Sequence, residues 1–166
     1  MTLPSWDIIV VILVVLWLAF AFVILRSRVM SALLAAYTAY LVSITWGPNL
    51  FGLLTGKQAV FGFSFSLSVS EFAVKSCLLV ILWLLLTALI PSSKRKRIPE
   101  FETLGHAFFT IAFVLSSVVT FMNDEQKQLL GNRAVIAEYL GRYHNLLILL
   151  PVILILYSSL HAKDEY

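Results

Sequence analysis

The side chains of this sequence that could do chemistry are few and widely separated. Its three histidines, His106, His144 and His161, occur singly, and the last two lie at opposite ends of one apolar run. Zinc and haem sites draw several ligands together at characteristic spacings, so this pattern indicates no metal or haem site, and we expect no cofactor. A single cysteine, Cys77, excludes a disulfide within the chain.

A catalytic serine would need a base within reach. Ser116 and Ser117 have no histidine or lysine close to them in sequence. The chain also lacks the G-x-S-x-G, H-E-x-x-H and phosphate-binding glycine motifs. The sequence therefore predicts no catalytic residues and a protein that is not an enzyme.

Charged residues make up 13% of the chain and cluster beside apolar runs. Glu71 and Lys75 stand four apart in the order that favours a helical ion pair, which we interpret as structural. Basic residues follow two of the apolar runs, where they set the membrane orientation or contact lipid headgroups: Arg26, Arg28, Lys94, Arg95, Lys96 and Arg97. No Asp, Glu, Lys, Arg or His lies in the middle of an apolar run, which argues against a proton-coupled pump or transporter.

The composition places these residues in a membrane protein. Hydrophobic residues make up 60% of the 166, whereas a soluble domain holds about 45–50%. A chain of this size could not bury so much apolar surface in water. We predict one integral membrane domain over 1–166, an all-α bundle of four or five transmembrane helices. A spanning helix needs roughly 20 apolar residues, and the candidate spans are 8–25, 29–46, 72–90, 104–122 and 143–162.

Segments between and after the spans are expected at the membrane interface. The interval 49–70 is too polar to span, and 61–70 alternate apolar and small residues, which predicts an extended segment or an ordered surface loop. Within 123–145, apolar residues recur at helical spacing and predict a short amphipathic helix in the interface. The last run contains Pro151 and is either a kinked fifth span or a re-entrant or surface helix.

Small residues at a spacing of four predict how the spans pack. The second span carries such a face, which we interpret as the main packing seam: Ser31, Ala35, Ala39 and Ser43. The fourth span carries a similar face that we expect to pack on it: Ala112, Ser116 and Thr120. A tight turn separates the first two spans, so they should form an antiparallel hairpin. Gly47 and Pro48 should end the second span.

The basic residues also predict the orientation. The loops after the first and third spans are basic and belong on the cytoplasmic side, which places the N-terminus outside. A bacterial-type inner membrane is the expected location, and the lipid bilayer is the first expected partner. The net charge of +3 comes from these two clusters, so we expect no nucleic-acid partner.

The layout also follows a recognisable order. Trp6 and Asp7 directly precede the first span, with Ser5 and Asp7 as candidate N-caps, and an Arg-x-Arg turn separates two closely coupled spans. A basic loop then leads into 101–105 at the head of the fourth span. This order resembles the colicin V production protein family of small bacterial inner-membrane proteins. The glycine that usually accompanies the basic turn is missing here, and Gly105 stands alone.

The resemblance implies a role in toxin production or export and in envelope homeostasis, with no catalytic residues to carry over. We therefore expect a non-enzymatic accessory membrane protein that acts through membrane-protein partners or as a homo-oligomer. A small structural subunit of a larger membrane complex is the alternative. A channel or transporter is the third choice, since the path could be lined only by hydroxyl side chains: Thr87, Ser116, Ser117 and Thr120.

Overall fold

The computed structural model describes residues 6–23, 29–56, 67–90, 100–131 and 135–161. Within these ranges the chain is all-α, as predicted. Its seven helices are α1 (Trp6–Val23), α2 (Val29–Leu54), α3 (Glu71–Leu89), α4 (Glu100–Phe121), α5 (Asp124–Gly131), α6 (Val135–Arg142) and α7 (His144–His161).

Three of the described helices are long and apolar enough to cross a membrane: α2, α3 and the segment Thr103–Phe121 of α4. The distribution of side chains fits a lipid surrounding. Alanines and hydroxyl residues such as Ala35 and Ser43 are fully buried, whereas large apolar residues such as Leu41 and Leu89 are exposed. Exposed leucines are costly in water but match lipid tails, which are equally apolar. The chain is therefore a small multi-pass membrane protein.

The second helix is longer than the sequence predicts. α2 continues through Gly47 and Pro48 to Leu54, so the predicted end at residue 46 is wrong. A proline inside a membrane helix is tolerated where neighbouring groups compensate for the lost backbone bond, and Gly47 packs directly against α3. The helix ends instead before Gly56, which adopts a left-handed φ of 74°, a conformation that glycine reaches without steric cost.

The predicted interfacial interval is shorter than expected because α2 includes its first residues. Residues 57–66, most of the alternating pattern, lie outside the described part of the chain. Leu67 donates its backbone N–H to the carbonyl of Leu54 at 2.9 Å, which brings the start of α3 back to the end of α2. Ser70 then caps α3 by accepting from the N–H of Ala73 at 3.2 Å.

Long-range contacts give the directions of the helices. Trp83 of α3 reaches Ala32 near the start of α2, and Lys75 lies against Gly47 near the end of α2, so α2 and α3 are antiparallel. α7 is also antiparallel to α2. Tyr40 contacts His144, whereas Tyr37, one turn earlier in α2, contacts the backbone of Ile148, which is further along α7. Val29 at the start of α2 packs on Ala107 near the start of α4, and Tyr40 in the middle of α2 packs on Phe121 at the end of α4, so these two helices are parallel.

α4 lies at the centre of the described bundle and packs on α1, α2, α3, α6 and α7. α1 packs mainly on α4, and Trp17 donates its indole N–H to the carbonyl of Ala107 at 3.1 Å. α1 runs opposite to α4, since Trp17 reaches the start of α4 whereas Asp7 contacts α6, which packs near the end of α4. The expected antiparallel order of the first two spans is therefore present in the described residues, although α1 packs mainly on α4 and meets α2 at Val29. The short connection between α1 and α2 keeps only the adjoining ends of these helices close together. The packing of α1 is set by the side chains of Trp17 and Leu18, which contact Ala107 of α4 and Val29 of α2.

The predicted amphipathic helix over 123–145 is two helices, α5 and α6. α5 begins with a reciprocal cap in which Asn123 and Gln126 accept each other's backbone N–H at 2.9 and 3.2 Å. α6 follows after residues 132–134, which lie outside the described ranges, and α7 begins two residues after α6 ends. The last apolar run is thus a continuous helix of 18 residues.

The close contact at Gly47 gives a testable prediction. A Cβ atom at Gly47 would lie 2.6 Å from Cγ of Lys75, whereas a Cβ atom at Gly105 would have no neighbour within 4 Å. We expect Gly105→Ala to stabilise the protein by up to about 1 kcal/mol through helix propensity. Gly47→Ala should lose that gain and cost roughly 1–3 kcal/mol more by displacing Lys75.

Unfolding of both variants in mixed detergent–SDS micelles measures this difference, with Gly105→Ala as the matched control. Equal midpoints for the two variants would show that α2 and α3 do not approach each other this closely.

Candidate functional site

A buried polar cluster joins α2, α4 and α7. The hydroxyl of Tyr40 lies 2.8 Å from Nε2 of His144. Nδ1 of the same ring lies 2.7 Å from Oγ of Ser116, and Ser116 Oγ lies 2.7 Å from the backbone carbonyl of Leu140. Ser116 is fully buried and His144 nearly so. Four groups from separate parts of the chain thus form one hydrogen-bonded series, which we call the histidine cluster.

The carbonyl at one end fixes the direction of these bonds. A carbonyl oxygen can only accept, so the Ser116 hydroxyl proton points at Leu140. Ser116 Oγ then accepts from Nδ1–H of the neutral His144 ring. Nε2 is left as an acceptor for the hydroxyl of Tyr40. From these distances we assign His144 as the neutral Nδ1–H tautomer, which gives each donor in the series an acceptor.

Aromatic rings enclose the cluster and hold His144 in place. Phe113 of α4 stacks on the imidazole with ring centroids 6.0 Å apart and 10° between the planes. The ring of Tyr40 contacts both Phe113 and Phe121. Tyr37, on the same face of α2, donates its hydroxyl to the carbonyl of Ile148 at 2.5 Å. Together these contacts fasten the first turns of α7 to α2 and α4.

The pairing of Ser116 with His144 is not arranged as a nucleophile and its base. In such a pair the histidine must accept the serine proton. Here that proton is directed at Leu140, and the imidazole donates to the serine. Both side chains are also closed off from solvent. The arrangement can fix helices and supply a polar contact inside the bundle.

A second polar contact links the beginning of the chain to α6. The carboxylate of Asp7 in α1 accepts the backbone N–H of Val135 at 3.3 Å and that of Ile136 at 3.1 Å. These N–H groups have no partner inside their own helix, and the helix dipole favours a negative charge there. Asp7 was expected as a cap for α1, but its carboxylate caps α6 instead, because folding brings α6 across the start of α1.

The small-residue faces predicted from the sequence lie inside the monomer. Ala35, Ala39 and Ser43 are fully buried and Ser31 is partly buried, and the two alanines pack in one cluster with Leu79, Trp83 and residues of α4. On α4, Ala112 and Ser116 are buried and Thr120 is partly buried. Ser116 bonds to α6 and α7 rather than to α2. The described seam is therefore used by the chain's own helices.

The charged residues singled out by the sequence divide into two groups. Lys75 Nζ lies 2.6 Å from Glu71 Oε1, so the expected ion pair is formed at the start of α3. The basic residues Arg26, Arg28 and 94–97 lie outside the described part of the chain. Among the described residues, no three His, Cys, Asp or Glu side chains come close enough to hold a metal ion.

The histidine cluster was not predicted from the sequence. Its members lie 104 and 28 residues apart, so no local motif reveals them. One signal was present, because Tyr37 and Tyr40 lie three residues apart on one face of an apolar helix. A tyrosine hydroxyl inside a bundle needs a hydrogen-bond partner, and this pair indicated that α2 faces polar groups of another helix.

Comparison with protein-family models, with characterised proteins and with solved structures found no match for this chain. The resemblance to the colicin V production proteins therefore gains no support from these comparisons and rests on the layout of the sequence.

The histidine cluster predicts a coupled effect of mutations on stability. Tyr40→Phe removes the hydroxyl that donates to Nε2 of His144. Ser116→Ala removes the hydroxyl that accepts from Nδ1 of His144 and donates to the carbonyl of Leu140. Each change should lower the free energy of unfolding by about 1–2 kcal/mol. The double variant should cost less than the sum, because both changes act on the same imidazole.

Thr38→Val is the matched control in α2, since the exposed Thr38 bonds only to the carbonyl of Leu34 in its own helix. A loss for Tyr40→Phe no larger than that for Thr38→Val would contradict the cluster. Nitrogen-15 NMR of labelled histidine gives a second readout, because the Nδ1–H tautomer expected for His144 differs in chemical shift from the Nε2–H form.

The contact of Asp7 with α6 predicts a local effect. Asp7→Ala removes both acceptors at the start of α6, so the amides of Val135 and Ile136 should exchange with solvent several times faster. Loss of a helix cap costs about 0.5–2 kcal/mol. Hydrogen–deuterium exchange measures this, and Glu125→Gln on the exposed side of α5 is the control for a lost carboxylate. Unchanged exchange at α6 in Asp7→Ala would show that the cap does not form.

Proposed function

We propose that this chain is a non-enzymatic accessory protein of a membrane, which acts by binding other membrane proteins and not by moving a solute. The observation that carries the proposal is the way in which the interior hydroxyl groups are used. The sequence offered Thr87, Ser116, Ser117 and Thr120 as the residues able to line a polar path, and each of these hydroxyls donates to a backbone carbonyl.

The four hydroxyl residues are buried or half-buried, and the hydrogen bonds that they donate are short. Thr87 donates to Trp83 and Ser117 to Phe113, both at 2.7 Å, and Thr120 donates to the carbonyl of Ser116 at 2.9 Å. Ser116 donates to Leu140 at 2.7 Å. A hydroxyl that serves an ion or a water file must face an open lumen, whereas these face helix backbone in a packed interior. This argues for a closed bundle over a channel.

The surface available to partners follows from the same packing. Because Ala35, Ala39 and Ser43 are fully buried within the monomer, the small-residue seam is not available to partners. Partner proteins would instead bind the outer faces of the bundle or its ends. The outer face of α3, which includes Val80, Ile81 and Leu84, is one such surface.

Further features of the proposal rest on the sequence pattern. We infer that α1 and α7 also span the bilayer, since both are apolar helices of 18 residues inside the same bundle. The basic loops would lie in the cytoplasm and the N-terminus outside, in a bacterial-type inner membrane. The layout shared with the colicin V production proteins supports partners in toxin production or export and in envelope homeostasis.

Two measurements on the full chain test this function. Extraction in a mild detergent at native expression level, followed by native mass spectrometry, should give a discrete complex that contains at least one other membrane protein. The purified chain in liposomes should show proton and potassium flux equal to that of empty liposomes. Flux above that level would overturn the proposal in favour of a channel or transporter.

A monomer or a pure homo-oligomer in the native extract would also overturn the partner-based role. A fixed stoichiometry that survives purification, with loss of the complex when the chain is deleted, would identify the alternative, a structural subunit of a larger assembly. Ile81→Trp and Leu84→Trp on α3 then map the surface, because a bulky ring is tolerated where the helix faces lipid and blocks binding where it faces a partner.

A further inference from the structure

The outward side of α6 carries an apolar surface that nothing in the described bundle covers. It is formed by Val135, Ile136 and Tyr139 of α6 and by Tyr143, which lies between α6 and α7, and these residues are between 37% and 58% exposed. Three of them recur at a spacing of four and so lie on one helix face. The rings of Tyr139 and Tyr143 are parallel, with centroids 6.2 Å apart. We call this surface the α6 outer face.

The position of α6 is fixed from the opposite side. Asp7 holds its first N–H groups to the beginning of α1, and Ser116 of α4 bonds to the carbonyl of Leu140 in its last turn. Gly141 brings the α6 backbone so close to α4 that a Cβ atom there would lie 3.1 Å from Val119. With its inner side held at three points, α6 presents its outer face at the end of the bundle where α1 begins and α4 ends.

We propose that the α6 outer face is a lipid-binding surface that lies at the boundary between headgroups and acyl chains. The first argument is continuity with a surface of the same chemistry. Ile8, Val11 and Ile12 of α1 are exposed next to the residue that holds α6. Tyrosines suit this depth, because the ring body is apolar and the hydroxyl can reach water and headgroups.

The size of the surface favours lipid over a protein partner. α6 has 8 residues, which make a helix about 12 Å long. Three side chains on so short a helix, together with Tyr143 just after it, form a surface smaller than the roughly 800 Å² per partner that a standard protein interface buries. The α6 outer face alone is therefore small for an interface with a second copy of the chain, whereas a short amphipathic helix needs only a bilayer boundary.

The charge around the surface indicates which lipids it binds. From 123 to 143 the sequence has three acidic residues and three basic ones, namely Asp124, Glu125, Glu138, Lys127, Arg133 and Arg142. A balanced segment gains no net attraction from anionic headgroups. The contact is therefore apolar and interfacial, and it requires no anionic lipid.

A fluorescent reporter placed on the α6 outer face tests the proposal. In a Cys77→Ser background, Tyr139→Cys or, as the control, Glu138→Cys is labelled with an environment-sensitive NBD group. Glu138 is exposed on the flank of the same helix turn. Both proteins are reconstituted in phosphatidylcholine vesicles, without any other protein.

The label at 139 should emit at shorter wavelength and be quenched by aqueous iodide about threefold less than the label at 138. Lipids that carry a nitroxide near the headgroup should quench the label at 139 more strongly than lipids that carry it deep in the acyl chain. The same result should follow in vesicles that contain phosphatidylglycerol. Tyr143→Cys provides a second reporter if the change at 139 disturbs folding, which size-exclusion chromatography reports.

Equal iodide quenching at 138 and 139 would overturn the lipid contact, because the face would then be open to water. Shielding that appears only as the ratio of protein to lipid rises would overturn it in favour of a second copy of the chain. Shielding that requires phosphatidylglycerol would overturn the apolar, charge-independent contact.

Discussion

A polar group in the hydrocarbon layer of a membrane has no water to bind, so it must find its partner inside the protein. Several side chains of the described bundle meet this constraint by donating to helix backbone, whereas the buried hydroxyl of Ser76 has no hydrogen-bond partner. The indoles of Trp17 and Trp83 donate to the carbonyls of Ala107 and Ala32 on neighbouring helices, both at 3.1 Å. Tyr37 donates to Ile148 in the same way. Each bond fixes the height and rotation of two helices at once, which apolar contact alone does not.

The same bonds explain why small residues occupy the centre. A tryptophan can reach the backbone of another helix only where no bulky side chain intervenes, and α2 presents alanines and Ser43 on its packed side. Close approach then adds dispersion contacts that lipid tails cannot match in shape. Trp17 and Trp83 also contact each other, with ring centroids 4.5 Å apart. Their two indole hydrogen bonds therefore lie close together and link α1 to α4 and α3 to α2 at one place in the bundle.

The sequence predicts the helices better than it predicts their neighbours. Hydrophobic length determines that an apolar run becomes a helix, because the bilayer allows few other structures, and α3 follows its predicted bounds within one residue. The end of α2 was misplaced, because Pro48 was read as a stop although local propensity yields to packing. The cap formed by Asp7 and the histidine cluster could not be derived, since their partners lie 24 to 129 residues away in sequence. Periodicity indicates that a face is buried but does not identify the helix that buries it.

The way in which the polar groups are paired also bears on what the protein can do. A transporter keeps some polar side chains unpaired for its substrate, or alternates them between two partners, because binding sites and ion paths need groups that can exchange. In the histidine cluster we assign the direction of the bonds from the carbonyl of Leu140, and each of the three side chains has a partner on another helix. A series locked in this way contributes rigidity. In the function that we propose, partner proteins and lipids would therefore bind the outer surface, where α3 and α6 expose apolar side chains such as Ile81 and Tyr139.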